Sequence, residues 1–343
     1  MMGSGVLTRH LVGLIGFAAL MAVVPFFVTQ RYFLGEIVLF MIWASVAIQW
    51  NVLLGHAGVF SLGQMLFFAI GAYSVGMLGV FYDVTPWLSM PVGAVVAAVA
   101  AFIIGIACLR LTMPYVALLT FAIVFMVDSL IRTDVECFMS HGGRCLPLFG
   151  GGQGFSGFDD LGFRKLLKGK WIVGNYFVVL TVLLLSLLAS IVVIHGRLGL
   201  AFRALHDSRV YAAARGMNRT RFHVVAFVVT AFFTGLTGAV YAAHFRFAGP
   251  SLFEFPTLVI VMAMIVVGGL KSTWGPIVGA AAMMLLIEFA KGWGDIQNAL
   301  VGTVLILFVL LLPKGLSGVI SAGVEKMVKA EPSRTDQASP AKQ

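Results

Sequence analysis

The 343-residue chain is 60% hydrophobic and only 11% charged, with a formal net charge of +9. Soluble domains carry about 25% charged residues, so this composition excludes an ordinary soluble protein and predicts an integral membrane protein. The basic residues lie between apolar runs, where they orient a chain in the bilayer, and this placement argues against nucleic-acid binding.

Apolar runs long enough to cross about 30 Å of hydrocarbon recur along the chain. We predict an all-α polytopic membrane protein with about ten transmembrane helices. A short N-terminus (residues 1–10) precedes the transmembrane domain (residues 11–312), and a polar tail (residues 313–343) with a disordered end follows it. The predicted spans are residues 11–28, 33–54, 65–82, 87–108, 114–131, 172–194, 224–247, 255–269, 276–290 and 296–312.

An even number of spans places both termini on one side of the membrane, which the basic residues identify as the cytoplasm. The loop 196–223 then also lies in the cytoplasm, in agreement with its six arginines and single acidic residue. The segment 132–171 lies in the periplasm, although it carries six basic residues of its own. The charge distribution therefore favours this orientation by a small margin.

The cytoplasmic loop contains two short helical pieces. In the first, Leu198, Phe202 and Leu205 fall on one face. The second covers residues 209–215 and ends at Gly216, which can adopt the left-handed conformation that terminates helices. A short basic element of this kind fits either a groove on a partner protein or the anionic headgroups of the membrane.

Residues 55–64, between the second and third runs, contain three glycines and a serine. This composition disfavours a continuous helix, so we predict a broken or re-entrant segment after the second span. Such a segment either lines a water-filled path or forms a glycine-rich turn at the membrane surface. The candidate residues of a translocation path are Gly55, Gly58, Ser61 and Gly63.

Several spans carry a small residue at every fourth position, which lets helix backbones approach closely in lipid. These stripes fit static packing and also fit helices that slide against each other. They are Gly93, Ala97, Ala101 and Gly105; Ala231, Gly235, Ala239 and Ala243; and Gly275 with Gly279.

The sequence contains no recognisable catalytic motif, P-loop or metal-ligand spacing, so we predict neither an enzyme nor a cofactor in this chain. Its ionisable residues lie near the ends of the predicted spans, which argues against a carrier driven by its own ion gradient. A self-contained secondary transporter or channel remains the alternative. Cys137 and Cys145 either form a disulfide in an oxidising compartment or remain free thiols.

The run NVLLGHAGVFSLGQ, followed by FFAIGAY, resembles the permease subunits of bacterial branched-chain amino acid ABC importers, particularly the M-type subunit. The loop GRLGLAFRALHDSRVYAAARGMNRTRFH and the C-terminal motifs VVGGL, GPIVG and LPKGL are similar to the same family. The resemblance covers most of residues 34–316. It implies a multi-pass inner-membrane subunit that works with ABC ATPase subunits carrying ATP and Mg, a second homologous permease and a periplasmic binding protein.

The resemblance also implies roles for individual residues. The stretch 55–64 would border the translocation path. His56, Gln64 and Tyr211 depart from the family pattern, as does the segment 133–147, and these departures leave the solute open among branched-chain amino acids, urea, amides and aromatic acids. The helix that docks on the ATPase would include Arg203, Asp207, Arg209, Ala212, Ala213 and Gly216.

Overall fold

The computed structural model describes residues 4–28, 30–108, 111, 113–141, 144–166, 170–207 and 217–292, with short stretches at 302–303, 305–308, 310 and 315–318. Among these residues, seven helices are long and apolar enough to cross a membrane. The helices are α1 (Ser4–Phe27), α2 (Arg31–Asn51), α3 (Gln64–Tyr82), α4 (Pro86–Cys108), α5 (Met113–Thr133), α6 (Phe163–Leu166), α7 (Trp171–His195), α8 (Arg197–Asp207), α9 (Arg219–Phe245), α10 (Phe255–Gly268) and α11 (Gly275–Ala290).

The all-α polytopic fold predicted from the sequence is confirmed. Every predicted span except the last coincides with a helix, and the last, residues 296–312, lies largely outside the described residues. Helix α1 begins at Ser4, earlier than the predicted start at residue 11, and its apolar span begins at Leu7. Helices α10 and α11 are shorter than the roughly 20 residues that a full crossing requires, and they pack against each other as a helix pair.

One end of the bundle carries the segment between α5 and α7, and we name it the hairpin end. Strands β1 (Met139–His141) and β2 (Arg144–Leu146) form an antiparallel pair there, and β3 (Phe155–Ser156) pairs with β4 (Phe247–Ala248) just after α9. The Trp87 indole at the start of α4 donates a hydrogen bond to the Leu161 carbonyl, over 3.2 Å. The ends of α3 and α9 therefore lie beside the segment 134–166.

The opposite end, the α8 end, contains the start of α1, the end of α7 and the turn between α10 and α11. The rings of His10 and His195 lie 4.4 Å apart, and the Trp274 indole donates to His10 over 3.1 Å. Helix α8 follows α7 directly at this end. The structure thus separates the segment 134–166 from α8 by the length of α7.

Helix α2 lies at the centre of the bundle, where it contacts α7, α9, α10 and α11. Its residues are apolar on nearly all sides, the pattern of a helix surrounded by other helices. The side chains from Val38 to Leu53 are accordingly mostly buried. The second half of α2 and the segment that follows it are therefore fixed within protein.

The small-residue stripes of α4 and α9 face each other, and α3 packs into the same junction. A Cβ added at Gly71 of α3 would overlap the carbonyl oxygen of Gly235, and one added at Gly93 would lie 2.9 Å from the Gly71 carbonyl oxygen. The side chain of Ala97 lies directly against Gly235. In lipid, where association gains little from the hydrophobic effect, such backbone contact supplies the packing energy. Helices α3, α4 and α9 form one close-packed block.

Candidate functional site

The predicted break after the second span is present. Helix α2 continues as a π-helix, Val52–His56, and the backbone is irregular from Ala57 until α3 begins at Gln64. Gly58 has a φ of 67°, a conformation that glycine adopts at no steric cost. π-Helical turns occur frequently at functional sites, and this one directly precedes the glycine-rich stretch.

Side chains from neighbouring helices hold the break in place. The Trp50 indole donates to the Ser61 carbonyl over 2.9 Å, and the Leu62 amide donates to the Thr120 hydroxyl of α5 over 3.0 Å. The Asn51 amide donates to the Ser272 carbonyl, in the turn between α10 and α11, over 2.9 Å. The break therefore connects the central helix α2 to α5 and to the turn between α10 and α11.

Close packing accounts for two of the candidate glycines. A Cβ at Gly55 would lie 2.6 Å from the Asn51 side-chain oxygen and 2.9 Å from the Lys271 amide nitrogen. A Cβ at Gly63 would lie 3.3 Å from the Thr120 Cβ. The Ser61 side chain is buried, and its hydroxyl accepts a hydrogen bond from the Gly63 amide over 3.2 Å. The structure thus brings the candidate path residues together in a tightly packed turn, and their contact with a solute remains a prediction.

Helix α8 has two distinct faces. The predicted apolar face is buried: Phe202 is 1% exposed and Leu205 is 7% exposed. Phe202 belongs to the same apolar cluster as Val52 and Leu53 of the π-helix, and α8 contacts the π-helix directly. Because α8 touches the π-helix directly, a displacement of α8 would also displace the break.

The opposite face of α8 is exposed. Leu200 is 61% exposed, and Arg203 one turn later is also exposed, with its guanidinium donating to the Gly199 carbonyl over 3.2 Å. Asp207 lies at the end of α8, one further turn along this face, although the structure does not describe its side chain. The remaining residues predicted to dock on the ATPase lie outside the described residues, namely Arg209, Ala212, Ala213 and Gly216.

Sequence reasoning missed Leu200. The signal was present, because Leu200 is an apolar residue that lies off the Leu198, Phe202 and Leu205 face of an otherwise amphipathic helix. Arginine is enriched at protein–protein contacts, and an exposed leucine beside it adds apolar area to such a surface. We therefore add Leu200 to the residues of the candidate docking surface.

Two cavities lie away from the break. The first, which we name the α5 cavity, has a volume of about 350 Å³ and lies between α3, α4 and α5, with Tyr73, Val96, Val127 and Phe253 among its lining residues. The second, of about 340 Å³, is at the hairpin end beneath β3. Neither of these two cavities is lined by the candidate glycines of the break.

Charged side chains of the described spans lie near helix ends, as the sequence predicts. Lys291 lies 2.8 Å from a Glu36 oxygen and 2.7 Å from a Glu288 oxygen at the hairpin end. Asp128 and Arg132 form a second ion pair at the end of α5, over 2.9 Å. Within the described residues, no group of three or more His, Cys, Asp or Glu side chains is arranged to hold a metal ion.

The two cysteines of the hairpin end come together at the β1–β2 pair. Cys137 and Cys145 are joined as a disulfide, with their Cα atoms 5.3 Å apart, within the range of about 4.4–6.8 Å usual for such bonds. The bond would require an oxidising compartment on this side of the membrane.

Comparison with known proteins gives a consistent result along the chain. The family described as "Branched-chain amino acid transport system / permease component" matches residues 32–312. The high-affinity branched-chain amino acid transport system permease protein LivM of Salmonella typhimurium (strain LT2) is 28% identical over 290 residues, which cover 80% of this chain and 68% of the relative. LivM of Escherichia coli (strain K12) is 28% identical over 304 residues, covering 84% and 71%.

No solved structure significantly matches the chain. The family match spans the central α2 helix, the break, α8 and the close-packed block of α3, α4 and α9. The chain therefore belongs to the branched-chain amino acid transport system permease component family.

Proposed function

We propose that this chain is the M-type permease subunit of an ATP-driven importer for branched-chain amino acids or a closely related small solute. It is a multi-pass protein of the bacterial inner membrane and forms part of the path for the solute. The LivM relatives are themselves permease proteins of high-affinity branched-chain amino acid transport systems. The energy comes from ATP and Mg bound by separate ATPase subunits.

The two-faced helix α8 is the observation that supports this proposal most strongly. Its outer face presents Leu200 and Arg203, and its inner face packs through Phe202 onto the π-helix of the break. An ATPase that closes on the outer face would move α8, and α8 would move the break. The loop 196–223 is the coupling element, on the cytoplasmic side.

The ion pairs support an external source of energy. Carriers that use their own ion gradient place ionisable groups near the middle of the membrane. In the described part of the chain, Asp128 pairs with Arg132 and Glu36 pairs with Lys291, all near helix ends. These pairs stabilise the ends of helices, and their position supports a path without its own ion coupling.

The hairpin end then faces the periplasm, where a binding protein delivers the solute. A second homologous permease completes the path beside this chain. The exposed apolar side chains of α4 and α5, such as Phe102, Ile103 and Phe125, provide a surface for that subunit or for lipid.

Reconstitution of the transporter in liposomes tests the proposal. The complete assembly should import leucine only when ATP is present on the side of α8, and this chain alone should neither hydrolyse ATP nor import leucine. Ion-gradient-driven leucine uptake by the lone chain would instead establish a secondary transporter.

Charge substitutions on the outer face of α8 test the coupling element. We expect Leu200→Glu and Arg203→Glu to abolish co-purification of the ATPase, because they replace the apolar and basic character of the docking surface. Val135→Glu is the matched control, since Val135 is 80% exposed at the hairpin end. Normal ATPase binding by both α8 variants would contradict the assignment.

A further inference from the structure

The turn between α10 and α11 packs against the break at the α8 end. The Asn51 amide donates to the Ser272 carbonyl over 2.9 Å, and a Cβ added at Gly55 would lie 2.9 Å from the Lys271 amide nitrogen. The break and the turn are therefore in backbone contact at Gly55, with no room for a solute between them. A solute that moved along the break toward the α8 end would meet this contact as an obstruction.

Two features make this contact costly to hold. The Asn51 side chain is 1% exposed, and its oxygen accepts no hydrogen bond from the described residues, which is destabilising for a buried acceptor. Lys271 has a φ of 68°, a left-handed conformation that strains a residue other than glycine. Separation of the break from the turn would relieve both costs. This is the property of a joint that opens, because permanent packing gains nothing from such strain.

Helices α10 and α11 are packed to move as one body. A Cβ added at Gly268 would overlap the Gly275 carbonyl oxygen, and one added at Gly279 would overlap the Met264 carbonyl oxygen. The Ser272 hydroxyl accepts a hydrogen bond from the Gly275 amide at the start of α11, over 3.1 Å. A force on Ser272 therefore acts on the whole helix pair.

The other end of α11 is fixed to α2 at the hairpin end. The Lys291 ammonium lies 2.8 Å from a Glu36 oxygen of α2 and 2.7 Å from a Glu288 oxygen, and it donates to the Tyr32 hydroxyl over 3.1 Å. A network of several charge-assisted bonds holds better than one neutral hydrogen bond. Since the bond from Asn51 is neutral, the α8 end of the helix pair should separate from α2 before the hairpin end does.

We infer that the contact between the break and the α10–α11 turn is the inner gate of the transport path, with Asn51 as its latch. A displacement of α8 by the ATPase moves the π-helix beside it, and this breaks the bond from Asn51 to Ser272. The helix pair then swings about its Lys291 end, and the α8 end opens to release the solute. The inference rests on the proposed function and deepens it by naming the positioning residue that keeps the path closed.

The number of leucine molecules imported per ATP hydrolysed, measured for the complete transporter in liposomes, tests the latch. We expect Asn51→Leu, which removes the amide at nearly constant size, to lower this ratio by about two- to tenfold, the factor that one ordinary hydrogen bond contributes to an equilibrium. The reason is that an unlatched gate opens before the solute has been delivered. A partly unfolded preparation would lose hydrolysis and uptake together and would leave the ratio unchanged.

The chain offers a matched control for the latch. Gln49→Leu removes a bond of the same kind, in which a side-chain amide of α2 donates to the Ser186 carbonyl of α7 over 2.8 Å. Because this bond does not reach the α10–α11 turn, the ratio should stay at its wild-type value.

A second variant tests the gate without touching Asn51. Gly55→Ala places a methyl group 2.6 Å from the Asn51 side-chain oxygen and 2.9 Å from the Lys271 amide nitrogen, so it should force the contact apart and lower the ratio in the same way. Gly35→Ala is its control, since nothing lies within 4 Å of a Cβ added there. If one of the two gate variants does not assemble, the other decides the test.

Each outcome has a distinct meaning. A wild-type ratio in Asn51→Leu and in Gly55→Ala, with or without a loss of total activity, would overturn the gate and leave the proposed function standing. An equal fall of the ratio in Gln49→Leu would show a general effect of loosening α2 and would also overturn it. A wild-type assembly that imports no leucine with ATP would overturn the proposed function itself.

Discussion

Helix α3 is packed in opposite ways on its two sides. Toward α9 its backbone touches the partner backbone: a Cβ at Gly71 would overlap the Gly235 carbonyl, and a Cβ at Gly238 would overlap the Phe68 carbonyl. Toward α5 it leaves a cavity of about 350 Å³. Since the energy of helix association in lipid comes mainly from van der Waals contact, the first side is rigid and the second has room to rearrange.

This difference indicates where the conformational change of a transporter takes place. We expect the α3–α4–α9 block to move as a unit, because separating its backbones would lose the close van der Waals contacts that hold the helices together. Helix α5 contacts the block sparsely but is joined to the break through the bond from the Leu62 amide to the Thr120 hydroxyl. We therefore expect α5 to shift against the block when α8 displaces the break.

The largest effect is expected in the close-packed block. Gly71→Ala should destabilise the protein by about 1–3 kcal/mol or more, because the added methyl meets the backbone of Gly235, which cannot move aside. Gly35→Ala in α2 is the matched control, since nothing lies within 4 Å of an added Cβ there. Thermal unfolding in detergent measures both, and equal midpoints for the two variants would contradict the rigid block.

A smaller effect is expected from the polar contact between α3 and α9. The Gln64 amide donates to the Thr230 hydroxyl over 3.2 Å, and the Thr234 hydroxyl donates to the Gln64 side-chain oxygen, also over 3.2 Å. A double-mutant cycle of Gln64→Leu with Thr234→Val should give a coupling free energy of about 0.5–1.5 kcal/mol, the range for hydrogen bonds between membrane helices. Additive changes in the free energy of unfolding would show that this hydrogen bond contributes nothing to stability.

The smallest effect is expected beside the α5 cavity. Val127→Ile adds one methylene to the cavity wall and should change the free energy of unfolding by less than about 0.5 kcal/mol. Val124→Ile makes the same change one turn earlier on α5, at a side chain that is 1% exposed in the core, and should destabilise by about 1 kcal/mol or more. If the two variants lost equal amounts of unfolding free energy, α5 would be packed as tightly as α9.

Local features of the fold were predictable from the sequence. Hydrophobic length alone places the long helices, and the glycines at 55, 58 and 63 predict the break after α2. The apolar face of α8 follows from the spacing of Phe202 and Leu205. Each of these features depends on residues within a few turns of each other.

Features that depend on distant residues were not predictable. The stripe of Gly235 indicates close packing but does not identify Gly71 and Ala97 as its partners. The ring of Tyr73 is buried in part by Phe155 and Phe253, which lie far along the chain. The π-helix before the break and the exposure of Leu200 likewise depend on how α2 and α8 pack within the bundle.

The sidedness of α8 tests the central claim most directly, because an ATPase can reach this helix only from the cytoplasm. Leu200→Cys and Asp159→Cys, both at exposed positions, can be introduced separately into a variant without its native cysteines and exposed to a membrane-impermeant maleimide. We predict that Asp159→Cys is labelled in spheroplasts and that Leu200→Cys is labelled only after the inner membrane is opened. Labelling of Leu200→Cys in intact spheroplasts would contradict the assignment of α8 as the element coupled to ATP hydrolysis.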